Sequence, residues 1–316
     1  MKIKPPFYIN EDHWDEWVEQ STVDPNIVRL NVTSLDEYEP HNRLLYALPN
    51  NERRNDGRLR DKWLKRYLHC EHGGYWCSGV NILTGEESQW GTFKPDRAKQ
   101  EIEYNRQGHF KKAKLIKYEH PPKTETEILA LSVPLSTWEA ISNRYDVPLP
   151  ENIVTTPQGR ALGFWAWIIA NPKIPVIITE GAKKAGALLT AGYCAIALPG
   201  IYNGYRQPKD DHGNKIDFPY LIPQLKAFAQ PGREIIFCFD RDQKPETAKN
   251  VRTAIAKTGG LFAKEGCKVS VITWDYPEKG VDDLIAAKGS DCFHALYKNR
   301  IPLSKLNLIS LLDLSK

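Results

Sequence analysis

Five carboxylates stand where apolar runs of this chain give way to other patterns: Glu180 in "VIITEG", Asp240 and Asp242 in "EIIFCFDRD", and Asp282 with Asp283 in "KGVDD". Carboxylates gathered from separate segments repel one another unless a cation lies among them. Hard oxygen donors of this kind suit Mg²⁺ (or Mn²⁺), which keeps several waters and takes one or two protein carboxylates together with substrate phosphates. Such a set supports in-line phosphoryl transfer, with metal ions stabilising the attacking and leaving oxygens. Glu180 then serves as a metal ligand or as the general base for a hydroxyl nucleophile. Taken singly, each piece has a structural use: Glu-Gly after a strand is commonly a turn, and Asp at a strand end commonly caps the next helix. Three positive side chains accompany the acids. Lys183 and Lys184 follow Glu180, and Arg206 ends the Gly-rich stretch "LPGIYNGYR"; all three are expected to meet phosphates, against the alternative of an ordinary loop.

The elements that must position these residues alternate from Gly163 onward. Helical "GFWAWIIAN" precedes strand "IPVIIT", helix "AKKAGALLTAG", strand "YCAIALP", a Gly-rich loop and helix "YLIPQLKAFAQ". Strand "REIIFCFD", helix "TAKNVRTAIAKTGGLFAKEG", strand "CKVSVITW" and helix "VDDLIAAKG" complete the series. Four short β-branched strands separated by helices spell right-handed βαβ units, hence an α/β fold with a mostly parallel sheet flanked by helices. Ligands of such sheets sit beyond the carboxyl ends of the strands, the edge at which all five acids emerge. If extended backbone persists through Arg241, period-two alternation points Asp240 and Asp242 the same way.

Residues 1–158 read as a smaller, irregular α+β domain, and residues 159–316 as the α/β domain with a helical tail. Ser34 to Tyr46 and Leu59 to Leu68 pattern as helices; "GGYWCSGVNILTG" and "ESQWGTFKP" pattern as strands. "DVPLPENIVTTPQG" concentrates Pro, Gly and polar residues and marks the linker. The tail from Ser304 to Lys316 carries an apolar stripe suited to covering a sheet edge or engaging a neighbour.

The formal net charge is only +4. Residues 1–150 hold 21 Lys+Arg against 23 Asp+Glu, and the remainder 22 against 16, an asymmetry that permits a nucleic-acid partner without requiring one. Locally the case is stronger. Arg53, Arg54, Arg58, Arg60, Lys62, Lys65 and Arg66 surround Trp63, offering cations to phosphates and an indole to an unpaired base, the alternative being a solvated helix face. A second basic window runs from Lys94 to Lys117 with Phe93, Tyr104 and Phe110 spaced through it. Six scattered cysteines suit reduced core thiols in a cytoplasmic protein. Cys70, His72 and Cys77 lack the second ligand pair of a structural zinc site, and no apolar run approaches membrane-spanning length.

The combination of "TEG" after one strand, "FDRD" after a later one and "KGVDDLIAAKG" resembles the Toprim domain of the primase/topoisomerase superfamily over about residues 172–290. The resemblance implies a phosphodiester-acting site in which Glu180, Asp240 and Asp242 bind Mg²⁺, with Asp282 or Asp283 assisting. The sequence departs from many primases at Lys184, where they carry an acid. Longer stretches, "ERRNDGRLRDKWLKRYLH", "GGYWCSGVN" and "TEGAKKAGALLTAGY" among them, are similar to the amino-terminal region of cyanobacterial plasmid replication proteins, in which a Toprim-like module precedes a helicase region. No G-x-x-x-x-G-K-(S/T) phosphate loop occurs here, so a stand-alone relative and a piece of a larger protein are both open. The resemblance implies a primase-like module using nucleotides and DNA, single-stranded DNA included, alongside a replicative helicase region or partner. A non-catalytic DNA-binding module and a Toprim nuclease are the alternatives.

Overall fold

The computed structural model describes residues 3–105, 107–242 and 244–305; the apolar stripe expected in the tail lies, from residue 306 on, outside them. Contacts group the chain into two compact units. One comprises the residues up to Trp14, Asn31–Ser78 and Ser88–Thr126; the other comprises Asp15–Leu30, Gly79–Glu87 and the chain from Glu127.

In the first unit, β1 (Val32–Leu35), β2 (Gly74–Val80) and β3 (Glu87–Pro95) form a sheet in that order, its last strands crossing into the second unit at their ends. β4 (Lys99–Tyr104) and β5 (Phe110–Ile116) make a separate antiparallel ribbon. The helix expected from Ser34 is shorter, Glu39–Leu44, because Ser34 and Leu35 are drawn into pairing with Tyr75 and Gly74. The helix expected from Leu59 spans Asp61–Arg66 and then tightens into a 3₁₀ turn, Leu68–His72. Its stripe of Leu59, Trp63 and Tyr67 packs with Leu44, Leu45, Trp76 and Phe93 into one buried cluster.

In the second unit β6 (Val176–Glu180), β7 (Ala195–Leu198), β10 (Glu234–Phe237) and β11 (Lys268–Val271) are the four expected strands, all parallel. β8 (Tyr205–Arg206) and β9 (Tyr220–Leu221) pair in the intervening loop. That pairing takes Tyr220 and Leu221 out of the helix expected there, leaving the short turn Pro223–Lys226. β12 (Ile301–Pro302) adds an antiparallel edge that two residues of strand pattern could not signal. Ile177, Ile178, Ile196, Ile236 and Phe237 are fully buried, as strands covered on both faces must be. Helices Ala182–Thr190, Pro245–Lys264 and Val281–Lys288 make the connections.

The sheet order is β12-β11-β10-β6-β7. The chain leaving β6 turns toward β7, and the chain leaving β10 turns the opposite way, toward β11. The two connections diverge and leave a crevice between the carboxyl ends of β6 and β10, the topological switch point at which open α/β sheets hold ligands. Among the described residues no helix is long and apolar enough to cross a membrane.

Arg233 fastens this sheet from within. It is fully buried at the entrance to β10, and its guanidinium donates to the carbonyls of Ile174 (2.9 Å), Ile168 (2.8 Å) and Ile169 (2.8 Å). Two of those carbonyls lie in the last turn of the helix Phe164–Ala170, where the Asn171 N–H also meets Ile168 O at 3.2 Å and Gln230 Nε2 also donates to Ile169 O at 2.8 Å. Arg233→Met fills similar space but takes from Ile174 O the donor it has here, at about 1–3 kcal/mol, while Ile168 O and Ile169 O keep Asn171 and Gln230. Urea denaturation is therefore expected to show a loss of about 1–3 kcal/mol.

Candidate functional site

Glu180 is the last residue of β6 and Asp240 lies three residues beyond β10, so the switch-point crevice has a carboxylate on either side. Gly181 makes the first placement possible. With φ of 87° it takes a conformation costly for other residues, turns the chain at once into the helix Ala182–Thr190, and donates its N–H to Leu198 O at 3.0 Å. The second placement differs from the sequence expectation. β10 stops at Phe237, and after Cys238, whose N–H still meets Ile178 O at 2.9 Å, residues 239–242 do not continue the strand, so strand alternation does not govern Asp240 and Asp242. Arg241 directs this departure: its N–H meets Lys279 O at 3.0 Å and its guanidinium holds Asp275 and the carbonyl of Tyr276, drawing the loop after β11 against the acids.

The acids and lysines interleave. Lys184 Nζ lies 3.1 Å from Asp240 Oδ1, and Lys279 Nζ lies 3.3 Å from Asp242 Oδ2. Asp242 also accepts from the Lys244 N–H at 3.0 Å, bracing the turn that leads into the helix Pro245–Lys264; that amide first, and Lys279 after it, hold its carboxyl below the usual range. Burial pushes Glu180 and Asp240 the other way. For Glu180, the neighbouring Asp240 adds to the rise and Lys184 and Lys279 oppose it; for Asp240, burial outweighs the lysine beside it.

Asp282 and Asp283 part company. Asp283 is exposed and accepts from the N–H of Gly280 at 3.2 Å, which caps its own helix. Asp282 is buried: Oδ2 accepts from Ser21 Oγ at 3.0 Å, while Oδ1 is buried without a hydrogen-bond partner. Lys183 turns from the crevice to Glu16 at 2.7 Å. Glu16 and Ser21 were not singled out from sequence, where nothing about "EWVEQS" connects it to residues more than 160 positions away. Arg206 donates to the carbonyls of its own loop, Asn203 and Tyr205.

Against a divalent cation this donor set fits in kind. Glu180 and Asp240 are hard oxygen donors, and Asp240 Oδ1 is a buried atom with no aligned hydrogen bond. It is not a closed cage: among the described residues no three His, Cys, Asp or Glu side chains group to hold a metal. Beside the acids opens a cavity of about 320 Å³ lined by Phe239, Val251, Ile255, Val271 and Trp274, with Asp240, Asp242 and Arg252 at its polar side.

Comparisons with known proteins bear on the same region. Residues 164–292, which include all five acids, match a family described as a domain of unknown function (DUF3854). Over 309 residues the chain is 53% identical to an uncharacterized protein, SYNPCC7002_B0001, of Picosynechococcus sp. (strain ATCC 27264 / PCC 7002 / PR-6). That match takes in 98% of this chain but only 29% of the relative's length. Among solved structures, the Aquifex aeolicus primase, with its zinc-binding and RNA polymerase domains, is similar at a TM-score of 0.50 and 12% identity, covering 95% of this chain and 60% of that one. A DnaG primase catalytic domain bound to ssDNA is similar at a TM-score of 0.50 and 12% identity, covering 94% of this chain and 74% of that one. At this identity the likeness shows the fold, a parallel-stranded α/β sheet flanked by helices as in the primase catalytic domains.

The basic run of the first unit divides by task. Arg53 is tied to the carbonyls of Leu45, Leu48 and Gly57, Arg54 pairs with Asp61, Arg58 with Asp56, and Lys62 with Glu52. Arg60, Lys65 and Arg66 are exposed, with Arg66 over the Trp63 and Tyr67 rings. Trp63 is not offered to a base: it is buried in the core, its indole N–H donating to Glu52 at 3.1 Å. Phe93 is likewise buried, whereas Tyr104 and Phe110 are exposed as a facing pair on the β4/β5 ribbon.

The elevation of Glu180 has a measurable sign. The folded chain holds that proton more tightly than the unfolded chain, so the carboxyl's contribution to stability is complete below the ordinary carboxylate range and is lost as pH rises through the elevated value. Glu180→Gln keeps the shape and removes the charge. Near neutral pH the variant is expected to be more stable than the parent by about 0.5–2 kcal/mol, and the gain should fade as pH drops through the elevated value and be gone below ~4.3. Thermal melts across that range check this, and an unchanged or lower neutral-pH melting temperature contradicts it.

Proposed function

We propose that this chain is a primase-like nucleic-acid module of a plasmid or mobile-element replication protein, acting in phosphoryl transfer at the β6/β10 crevice. The observation that carries the reading is the pairing of Glu180 and Asp240 across the switch point of a sheet whose fold is like that of primase catalytic domains. One of those solved domains is bound to ssDNA, which supports single-stranded DNA as the partner here. The chain spans 29% of the length of the curated relative it matches; a replicative helicase region or partner alongside it is part of the proposal.

Glu180 and Asp240 would hold a divalent ion, Mg²⁺ or Mn²⁺, with nucleotide phosphates and water completing its shell. Bound there, the ion supplies charge stabilisation to the attacking and leaving oxygens. The chain's own groups supply the rest. Where Asp240 rather than Glu180 meets the ion, the Glu180 carboxyl, made more basic by burial, would be the group that accepts a proton from a hydroxyl nucleophile. The apolar cavity beside Asp240, with Trp274 in its wall and Arg252 at its polar side, is large enough for the base and sugar of a nucleotide. Asp242, expected as a further metal ligand, is held by the Lys244 amide and Lys279 and would reach the ion only on release from that lysine.

Asp240→Ala is expected to leave the fold intact and lower divalent-dependent product formation by on the order of 10²-fold or more. Equal activity in variant and parent removes Asp240 from the chemistry. New strands identify a primase and shortened strands a nuclease. The lysines among the acids favour a second reading, a non-catalytic DNA-binding module, and that reading is upheld if DNA binds without divalent ions and no product forms.

The exposed cations of the first unit are part of the same proposal. Arg60→Ala with Lys65→Ala should weaken single-stranded DNA binding and flatten the dependence of log K on log salt by about 1.4, the value for two lost phosphate contacts. An unchanged slope places the DNA elsewhere.

A further inference from the structure

Two lysines open the helix Ala182–Thr190, in the turn where a positive charge meets the positive end of the helix dipole. Each is compensated by a carboxylate from a distant segment: Lys183 by Glu16 and Lys184 by Asp240. The Lys184 contact is built into the site. Its stem crosses directly over Gly280, where a Cβ would stand 2.8 Å from Lys184 Cε and 2.4 Å from Asp282 Oδ1. Gly280 has an ordinary φ of −93°, so nothing in the backbone requires glycine there; the close approach does. Asp282 is 4% exposed, and the same Oδ1 is the buried oxygen that lacks a hydrogen bond. A lysine stem, an unpartnered buried carboxylate oxygen and the Asp240 carboxylate thus share one small space.

We propose that Lys184 is a resident cation of this crevice: its ammonium stands where a divalent ion would meet Asp240, so that the lysine contact and divalent binding exclude one another. The inference rests on the reading of Asp240 as the position for such an ion, and it adds a rule of occupancy. A divalent ion enters only when Lys184 swings away from Asp240, and the freed ammonium is then available to an incoming phosphate. Divalent affinity is weakened by the population of the lysine-bound form, as for any ligand whose competent state is a fraction of the ensemble. Couplings of this type change affinity by about 5–150-fold.

The test is Mn²⁺ binding to the whole chain by titration calorimetry and electron paramagnetic resonance, neither of which needs turnover. Lys184→Met removes the ammonium and keeps the stem. Gly280→Ala removes no charge, and its methyl group displaces the lysine stem together with the Asp282 carboxylate oxygen beside it. Both are expected to tighten Mn²⁺ binding by about tenfold or more, and Asp240→Asn should abolish the tightening in either background. Thermal melting confirms that each variant folds, and if one does not, the other carries the measurement. Unchanged or weaker Mn²⁺ binding in the folded variants overturns the proposal, as does tightening that survives Asp240→Asn. The two readings fail separately. Product loss in Asp240→Ala with no effect of Lys184→Met on Mn²⁺ defeats only the competition, and tighter Mn²⁺ binding in a chain that forms no product defeats only the phosphoryl-transfer function.

Discussion

Carboxylates collected at one rim of a parallel sheet, half out of water, cannot all stay charged unless positive charge is brought among them. In this protein that balance is struck first by lysines. Lys184 meets Asp240, Lys279 meets Asp242, and burial still leaves Glu180 and Asp240 with elevated pKa values. The charges are therefore not fully satisfied. A site held short of electrostatic satisfaction retains affinity for further charge, which is the condition of many functional sites and a cost to the folded state.

Much of the surrounding architecture follows from that balance. Two lysines in the first turn of a helix run against its dipole, and they are tolerated because Glu16 and Asp240 reach them. Glu16 arrives on the segment Asp15–Leu30, which is bound into the second unit at three further points. Ser21 Oγ donates to buried Asp282, the Asp24 N–H donates to Thr190 Oγ1 at 2.8 Å, and Val23 packs on Gly186. Between Ser21 and Val23, Thr22 adopts φ of 52°, a conformation a β-branched residue avoids unless its neighbours impose it. Anchors on both sides of Thr22 impose it here. The loop after β11 is fixed in the same spirit, Arg241 gripping Asp275 and Tyr276 so that Lys279 comes to Asp242.

In the first unit, charge and aromaticity that look like one binding surface in the sequence belong to different layers of the fold. Burying an indole of this size stabilises the core far more than exposing it to solvent, and Trp63 accordingly joins the cluster around Tyr67, Trp76 and Phe93. Its flanking cations are then sorted by what lies within reach: acids and carbonyls for Arg53, Arg54, Arg58 and Lys62, open solvent for Arg60 and Lys65.

Strand patterns, helix patterns and the acids at their ends are local properties, and the sequence alone determined them: four β-branched runs each too short to be anything but a strand, and Glu180, Asp240 and Asp282 placed after three of them. The α/β class and the shared rim follow, because parallel strands put their carboxyl ends on one edge. Chain reversals and long-range partners are not local. That Asp242 braces the turn before a helix and Asp283 caps its own, that β10 ends at Phe237, and that Asp15–Leu30 reaches across to Lys183 and Asp282 were decided by tertiary packing. The same is true of the lysines among the acids. Their charge is written in the sequence, but whether an ammonium points to solvent, to phosphate or to a buried carboxylate depends on where Gly280 lets its stem lie.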